Sequence, residues 1–390
     1  MEIEVVSTPN GIRTLEGAKK YCQDFARVCC SEKDFSEVRR EAYDSKLVED
    51  RLIKLGHLSV FDHFNIGLYI KGLPKVMAMV LNNEPPLTTS EKSARYTIMK
   101  GIPEGQKDLY DKWMGIVHSR IEKYYPESNY PKMYMKDGSR KTKVDKLSQE
   151  NARYMMSVFT PTKMGYTFSL RQLNILADNF EWFGKEFAGD KFKGRVFEKG
   201  MKPYLDSEAV KKFRIRGLGD KSNRGVKLFG DEVEEYFGKD IYSTNLKMSF
   251  ACLAQNHRHR TLHNAIFGGL EMGAGNGFFV PPIIREDDEL VNDWFNDLAD
   301  VAKNDFPQAQ IVDVSERGLF EDLEMKVAER NCRHAQLEIV RMIDEQILFK
   351  GAGANSKYGD LRDASCWIYG DGCHKGGCDF GADNYLKRLI

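Results

Sequence analysis

Met248-Ser249-Phe250-Ala251-Cys252-Leu253 runs through Ala254 into Gln255-Asn256-His257-Arg258-His259-Arg260, and the architecture turns on how this stretch is read. Its first part is apolar, and Leu246 to Leu253 reads as a buried, helix-like run. Its second part sets cationic or cationisable side chains in succession. They repel one another, and taken alone such a run is ordinarily a solvated surface. Here it ends a buried element, where unpaired charge is expensive. A phosphate or a flavin would supply the missing partner, because arginine offers phosphate oxygens a forked set of donors.

Outward from this point the chain repeats one plan. In the second half Phe278 to Pro282 is extended, Asp288 to Ala302 is a helix, and a long helical pattern runs from Leu319 to Leu348. In the first half, residues 11–31 and 36–55 carry helical spacing, and the second run stops at Gly56. Phe64 to Ile70 suits a strand and Leu73 to Leu81 a buried helix. Residues 106–124 form an amphipathic helix, and Glu150 to Phe183 holds two more, broken around Thr160-Pro161. Between about Lys185 and Lys239 the composition shifts to Lys, Gly and Glu, as in an inter-domain segment. A repeat of roughly 190 residues is too long for a solenoid unit and points to duplication of a whole domain.

Bulk composition narrows the classes. Lys+Arg and Asp+Glu number 58 each, so the chain lacks the overall basic footprint of a duplex nucleic-acid binder. A hydrophobic content of 42% describes a folded protein, and no stretch has the ~18 apolar residues of a membrane span. Met1-Glu2-Ile3-Glu4 lacks the basic-then-apolar order of a signal peptide, and scattered cysteines fit reduced thiols. A cytoplasmic location is the expectation.

Four further constellations carry polar chemistry. Glu91-Lys92-Ser93-Ala94-Arg95-Tyr96, read as extended, turns Glu91, Ser93 and Arg95 to one side. That set could read a pyrimidine nucleotide or form a surface salt bridge. Gly56-His57-Leu58-Ser59-Val60-Phe61-Asp62-His63 lies between a helix and a strand, with no further metal-ligand set nearby in sequence. Glu150-Asn151-Ala152-Arg153 and Arg330-Asn331-Cys332-Arg333-His334-Ala335-Gln336-Leu337-Glu338-Ile339 both sit in helical patterns.

Together these pieces resemble the flavin-dependent thymidylate synthases. The resemblance rests on Glu-x-Ser-x-Arg-Tyr, Arg-His-Arg, Ala-Gln-x-Glu-Ile, Gly-His-x-Ser-x-x-Asp-His and the Glu-x-Ala-Arg helix. The family carries Arg-His-Arg and Glu-x-Ser-x-Arg in one continuous stretch; here they are split. Asn83-Glu84-Pro85 stands at the Arg-His-Arg positions of the first half, while Gly268 and Leu270-Glu271 replace the Ser and Arg-Tyr of the second. Downstream, Ser169-Leu170-Arg171 stands for the family's Asn-x-Arg, and Phe180 replaces an arginine that the second half keeps as Arg330. The resemblance covers roughly residues 45–185 and 240–348, as two diverged copies.

The resemblance implies an α+β fold, in two tandem copies of an antiparallel sheet with flanking helices. The expected divisions are a first repeat over 1–190, a linker over 191–238, a second repeat over 239–350 and a Gly/Cys-rich tail over 351–390. It implies that Glu91, Ser93, Arg95 and Arg153 meet dUMP from one side and Gln255, Arg258 and Arg330 from the other, with Arg153, Arg258 and Arg330 at the chemistry. It also implies that His57, Ser59, Asp62, Ser169 and Arg171, with Arg258, His259, Arg260 and His334, hold FAD. The expected reaction takes dUMP to dTMP with methylenetetrahydrofolate and NADPH, in a homodimer that imitates the family tetramer. Reduced flavin does the redox work, and the protein supplies position and charge.

Two departures leave other readings open. Ser169 stands for Asn, and His263 stands where the family usually has Ser. A related C5 modification such as hydroxymethylation, or a nucleotide-binding homologue without turnover, shares the same residues. In the tail, Cys366, Cys373, His374 and Cys378 are four N/S groups that could close a zinc site or remain free thiols.

Overall fold

The computed structural model describes residues 1–390 except 30, 96, 98, 99, 220–224, 274, 333 and 371–383. Its helices and antiparallel strands divide into two compact units: Met1–Lys92 with Pro161–Val226, and Ser93–Thr160 with Lys227–Ile390.

The first unit holds a four-stranded antiparallel sheet of β1 (Glu2–Ser7), β2 (Asn65–Pro74), β3 (Thr88–Glu91) and β4 (Pro161–Ser169), in the order β1-β2-β4-β3. Thr162, Met164, Tyr166 and Phe168 of β4 are buried at alternate positions, as a strand with one inward face requires. This strand replaces part of the helical pair expected over Glu150–Phe183. The chain turns directly from β4 into helix Leu170–Glu186, where Ser169 caps the first turn by accepting from Gln172 N at 3.1 Å. Helix Lys75–Asn82 is buried at every position.

Residues 191–219 are built into this unit rather than strung out as the expected linker. Short helical turns over Lys193–Phe213 bury Phe192, Val196, Met201, Tyr204, Val210 and Phe213. The intervening lysines had masked those apolar positions.

The second unit has β5 (Tyr236–Phe237), β6 (Ile241–Ser249), β7 (His263–Gly268) and β8 (Ile311–Leu319), also antiparallel, in the order β5-β6-β8-β7. The stretch expected as a helix from Leu246 is strand as far as Ser249, because Tyr242, Thr244, Leu246 and Met248 alternate inward. Ser249 then caps helix Phe250–Asn256 by accepting from Cys252 N at 3.0 Å. Both sheets thus share one strand order, and each contains a strand–serine–helix junction.

Helices Glu104–Tyr124, Lys143–Ala152 and Asp288–Ala302 complete the second unit. Trp113 and Trp294 meet edge to face at 4.6 Å in its core, with Met133, Val144, Leu298 and Ile390. The long helix expected over Leu319–Leu348 breaks after Arg330 and resumes at Leu337. Asn331 holds the break open by donating to Leu361 O and Asp363 O. No helix among the described residues is long and apolar enough to cross a membrane.

Candidate nucleotide site

The second unit gathers residues from three distant parts of the chain around the break at 331–336. Helix Lys143–Ala152 buries Glu150, and Arg153 follows in a single 3-10 turn. Arg95, in a turn, pairs through Nε with Glu150 Oε2 and donates from Nη2 to His334 O at 2.8 Å. Arg153 is buried and donates from Nη2 to Gln336 Oε1.

Gln336 is itself held. Its Nε2 donates to the Tyr154 hydroxyl, which donates on to Glu338 Oε2 at 2.5 Å. Ser249 adds its backbone N–H to Glu338 Oε1 at 2.8 Å and its hydroxyl to Oε2 at 2.7 Å. Burial pushes the Glu338 carboxyl upward while these donors pull it back. An acceptor at the end of the chain of donors turns the Gln336 amide oxygen toward Arg153.

Arg330 closes helix Phe320–Arg330. Burial lowers its guanidinium pKa; Glu329 opposes that, and Arg95 and Arg258 lower it further, so three arginines act on one another here. Arg258 is exposed just past the end of helix Phe250–Asn256, and His259 beside it is buried. His259 Nε2 lies 3.8 Å from Glu329, but burial, with Arg330, Lys326 and His257 alongside, pushes the imidazole down to about 3. It is neutral at ordinary pH, so the contact with Glu329 is not an ion pair. Gln255 is buried, and its Oε1 has no hydrogen-bond partner among the described residues.

Behind Arg330, Lys326 and Glu316 form an ion pair at 2.7 Å with both side chains fully buried. Tyr242 and Asn256 also donate to Glu316.

Glu91 does not join Arg95, contrary to the extended reading of this segment. β3 ends at Glu91, whose Oε1 pairs with Lys75 at 2.6 Å within the first unit. Ser93 instead receives the Arg95 N–H on Oγ at 3.3 Å.

The first unit assembles part of the second predicted set. Ser169 Oγ donates to Asp62 Oδ1 at 2.6 Å, and Arg171 Nη1 donates to Asp62 Oδ2 at 3.2 Å. Arg171 Nε is buried with no hydrogen-bond partner among the described residues, and His57 and Ser59 are exposed. Arg260 and His334 both lie in the second unit, and Arg260 is half-buried. Of the tail ligands, Cys373, His374 and Cys378 lie outside the described residues. Among the described residues no group of His, Cys, Asp or Glu could hold a metal.

Tyr154, Glu338 and Arg388 were not singled out by the sequence reading as site residues. Glu338 at least lies inside the Ala-Gln-x-Glu-Ile motif; Arg388 lies far from every motif.

Residues 12–178 match the family model described as thymidylate synthase complementing protein. Comparison with curated proteins gives no match. Among solved structures, the chain is similar to a flavin-dependent thymidylate synthase from Helicobacter pylori complexed with FAD and dUMP. The identity is 16%, the TM-score 0.31, and the coverage 55% of this chain and 98% of that one. It is also similar to a UMP/dUMP methylase from Streptomyces cacaoi bound with 5-Br dUMP, at 16% identity and TM-score 0.30, covering 45% of this chain and 76% of that one. Scores this low do not establish a shared overall fold.

Proposed function

We propose that the chain is a flavin-dependent enzyme that methylates dUMP at C5, built from two diverged copies of the family's subunit. The observation that carries this reading is the gathering of Arg95, Arg153, Arg258 and Arg330 within one unit, which also buries Gln255 with its Oε1 lacking a hydrogen-bond partner among the described residues. Forked guanidinium groups suit a nucleotide phosphate, and a buried amide oxygen suits a pyrimidine N–H. Arginines facing the ring would stabilise negative charge on its carbonyl oxygens, an effect worth roughly a few kcal/mol per donor. The shared strand order of the two sheets supports the duplication.

Asp62, Ser169 and Arg171 fit a phosphate-bearing cofactor, since Arg171 keeps an inward donor uncommitted while Asp62 fixes its other end. FAD would be held by these residues with His57 and Ser59. A bound flavin supplies the redox chemistry; methylenetetrahydrofolate and NADPH are the proposed co-substrates. A homodimer is the proposed working unit.

The test is an absorbance spectrum of purified protein, followed by calorimetry with dUMP and mass analysis of the nucleotide formed with methylenetetrahydrofolate and NADPH. Flavin bands, saturable dUMP binding and a product heavier by one methyl group are expected. Absence of both flavin and dUMP binding sinks the reading.

A further inference from the structure

Three consecutive residues in the break between helices, His334, Ala335 and Gln336, are each held by a different arginine. Arg95 donates to His334 O, Arg153 to Gln336 Oε1, and Arg388 Nη2 to Ala335 O at 2.7 Å. The first two come from the Ser93–Thr160 segment of the second unit. The third comes from residues 384–390, beyond both regions that carry the family motifs.

Arg388 is only 4% exposed. Burial pulls its guanidinium down to about 10, with Glu150 opposing and Arg95 among its charged neighbours, so it remains a cation at neutral pH. Its backbone is tied in as well. Leu389 N donates to the Tyr125 hydroxyl at 2.9 Å, and Arg341 Nη2 donates to Leu386 O at 3.3 Å. Tyr385 donates to Arg362 O at 2.6 Å. Burying a cation beside other cations is costly, and a surface tether would not need one.

We infer that Arg388 is a positioning residue of the nucleotide site: by gripping Ala335 O it fixes the 334–336 turn against which the Arg95 and Arg153 guanidinium groups are set. Resting on the function proposed above, this adds a requirement from outside the family motifs. Arg388 acts through the turn and is not assigned a contact with the nucleotide.

The experiment is calorimetric titration of dUMP into the wild-type holoprotein and into Arg388→Ala and Arg388→Gln. Wild-type protein that does not bind dUMP overturns the functional reading and says so independently of the variants. Given wild-type binding, Arg388→Ala should weaken the dissociation constant roughly tenfold, about 1.4 kcal/mol. Arg388→Gln keeps a donor for Ala335 O without the charge and should recover binding to within about threefold of wild type. A purely structural role predicts losses that follow thermal stability in both variants. Unchanged affinity in Arg388→Ala overturns the inference, and so does a Gln variant as weak as the Ala variant while melting like wild type. If Arg388→Ala does not fold, the Gln variant alone decides: near-wild-type affinity supports positioning through the carbonyl, and a tenfold loss in a folded protein overturns it.

Discussion

At position 259 an imidazole is buried with Arg330 and Lys326 acting on it, and its pKa falls to about 3 from an ordinary value of 6.5. The consequence for stability has a definite sign. Between those values the unfolded chain binds the proton and the folded one does not, so stability is full above pH ~6.5 and declines as pH falls below it. The slope approaches about 1.4 kcal/mol per pH unit for this one group. Thermal melts of nucleotide-free protein from pH 7 to pH 5 should show this decline, and His259→Gln should flatten part of it. Equal slopes in the two proteins would mean that His259 is not held neutral. The sequence reading placed His259 correctly at the end of a buried element and took it for a flavin contact. That the cations around it suppress its own charge was not legible, because Lys326 and Arg330 lie far along the chain.

Strand β8 and the helix after it differ from strand β4 and its helix by a pair of charged residues. β4 and β8 each run straight into a helix, so Glu316 occupies the place of Tyr166, and Lys326 that of Leu176. Where the first unit has an aromatic ring and an aliphatic side chain, the second has a fully buried ion pair one turn before Arg330. Removing one partner strands a charge, which typically costs ~3–5 kcal/mol, whereas replacing both by apolar groups of similar volume is often neutral. Lys326→Leu should therefore lower the thermal midpoint strongly, and Lys326→Leu with Glu316→Tyr should regain more than half of the loss. A single variant as stable as wild type would show that the pair does not hold this helix. At the same scale, the strands β4 and β6 escaped the sequence reading. Each ends in an apolar run that continues into a helix, so period two passes into helical spacing without a turn residue between them.

For the whole molecule, the division of the chain bears on how many sites it carries. Arg95 and Arg153 precede the second sheet by a long stretch of chain, yet they fold into the same unit as Arg258 and Arg330. The proposed nucleotide site is therefore complete within one chain, and mixing Arg95→Ala with Arg258→Ala protein should restore no activity. Recovery on mixing would place its halves on different chains. In the first unit, Asn83-Glu84-Pro85 follows helix Lys75–Asn82 as Arg258-His259-Arg260 follows helix Phe250–Asn256 in the second, with Asn83 and Glu84 both buried. At the matching strand-to-helix junction of the second unit, Leu319 and Glu321 take the places of Ser169 and Arg171, and neither offers a phosphate a positive charge. One dUMP and one FAD per chain are the expected stoichiometries. Two tight dUMP molecules per chain by calorimetry would overturn the division of labour.

What the sequence determined by itself was chemical identity. Arg-His-Arg at the end of an apolar run, Glu-x-Ser-x-Arg and Ala-Gln-x-Glu-Ile are local patterns, and local spacing suffices to mark a concentration of cations and a resemblance to a family. The helices Glu104–Tyr124 and Asp288–Ala302 were legible for the same reason, since amphipathic periodicity is written within one element. Partnership was decided only by the tertiary structure. Glu91 went to Lys75 rather than to Arg95 because β3 ends at Glu91, and Arg388 came to Ala335 from a segment with no motif at all. Segment 191–219 joined the first unit because its aromatic side chains found a core that its lysines had hidden. A hydrogen bond or an ion pair is a relation between positions, and when those positions are far apart in sequence only the folded chain brings them within reach.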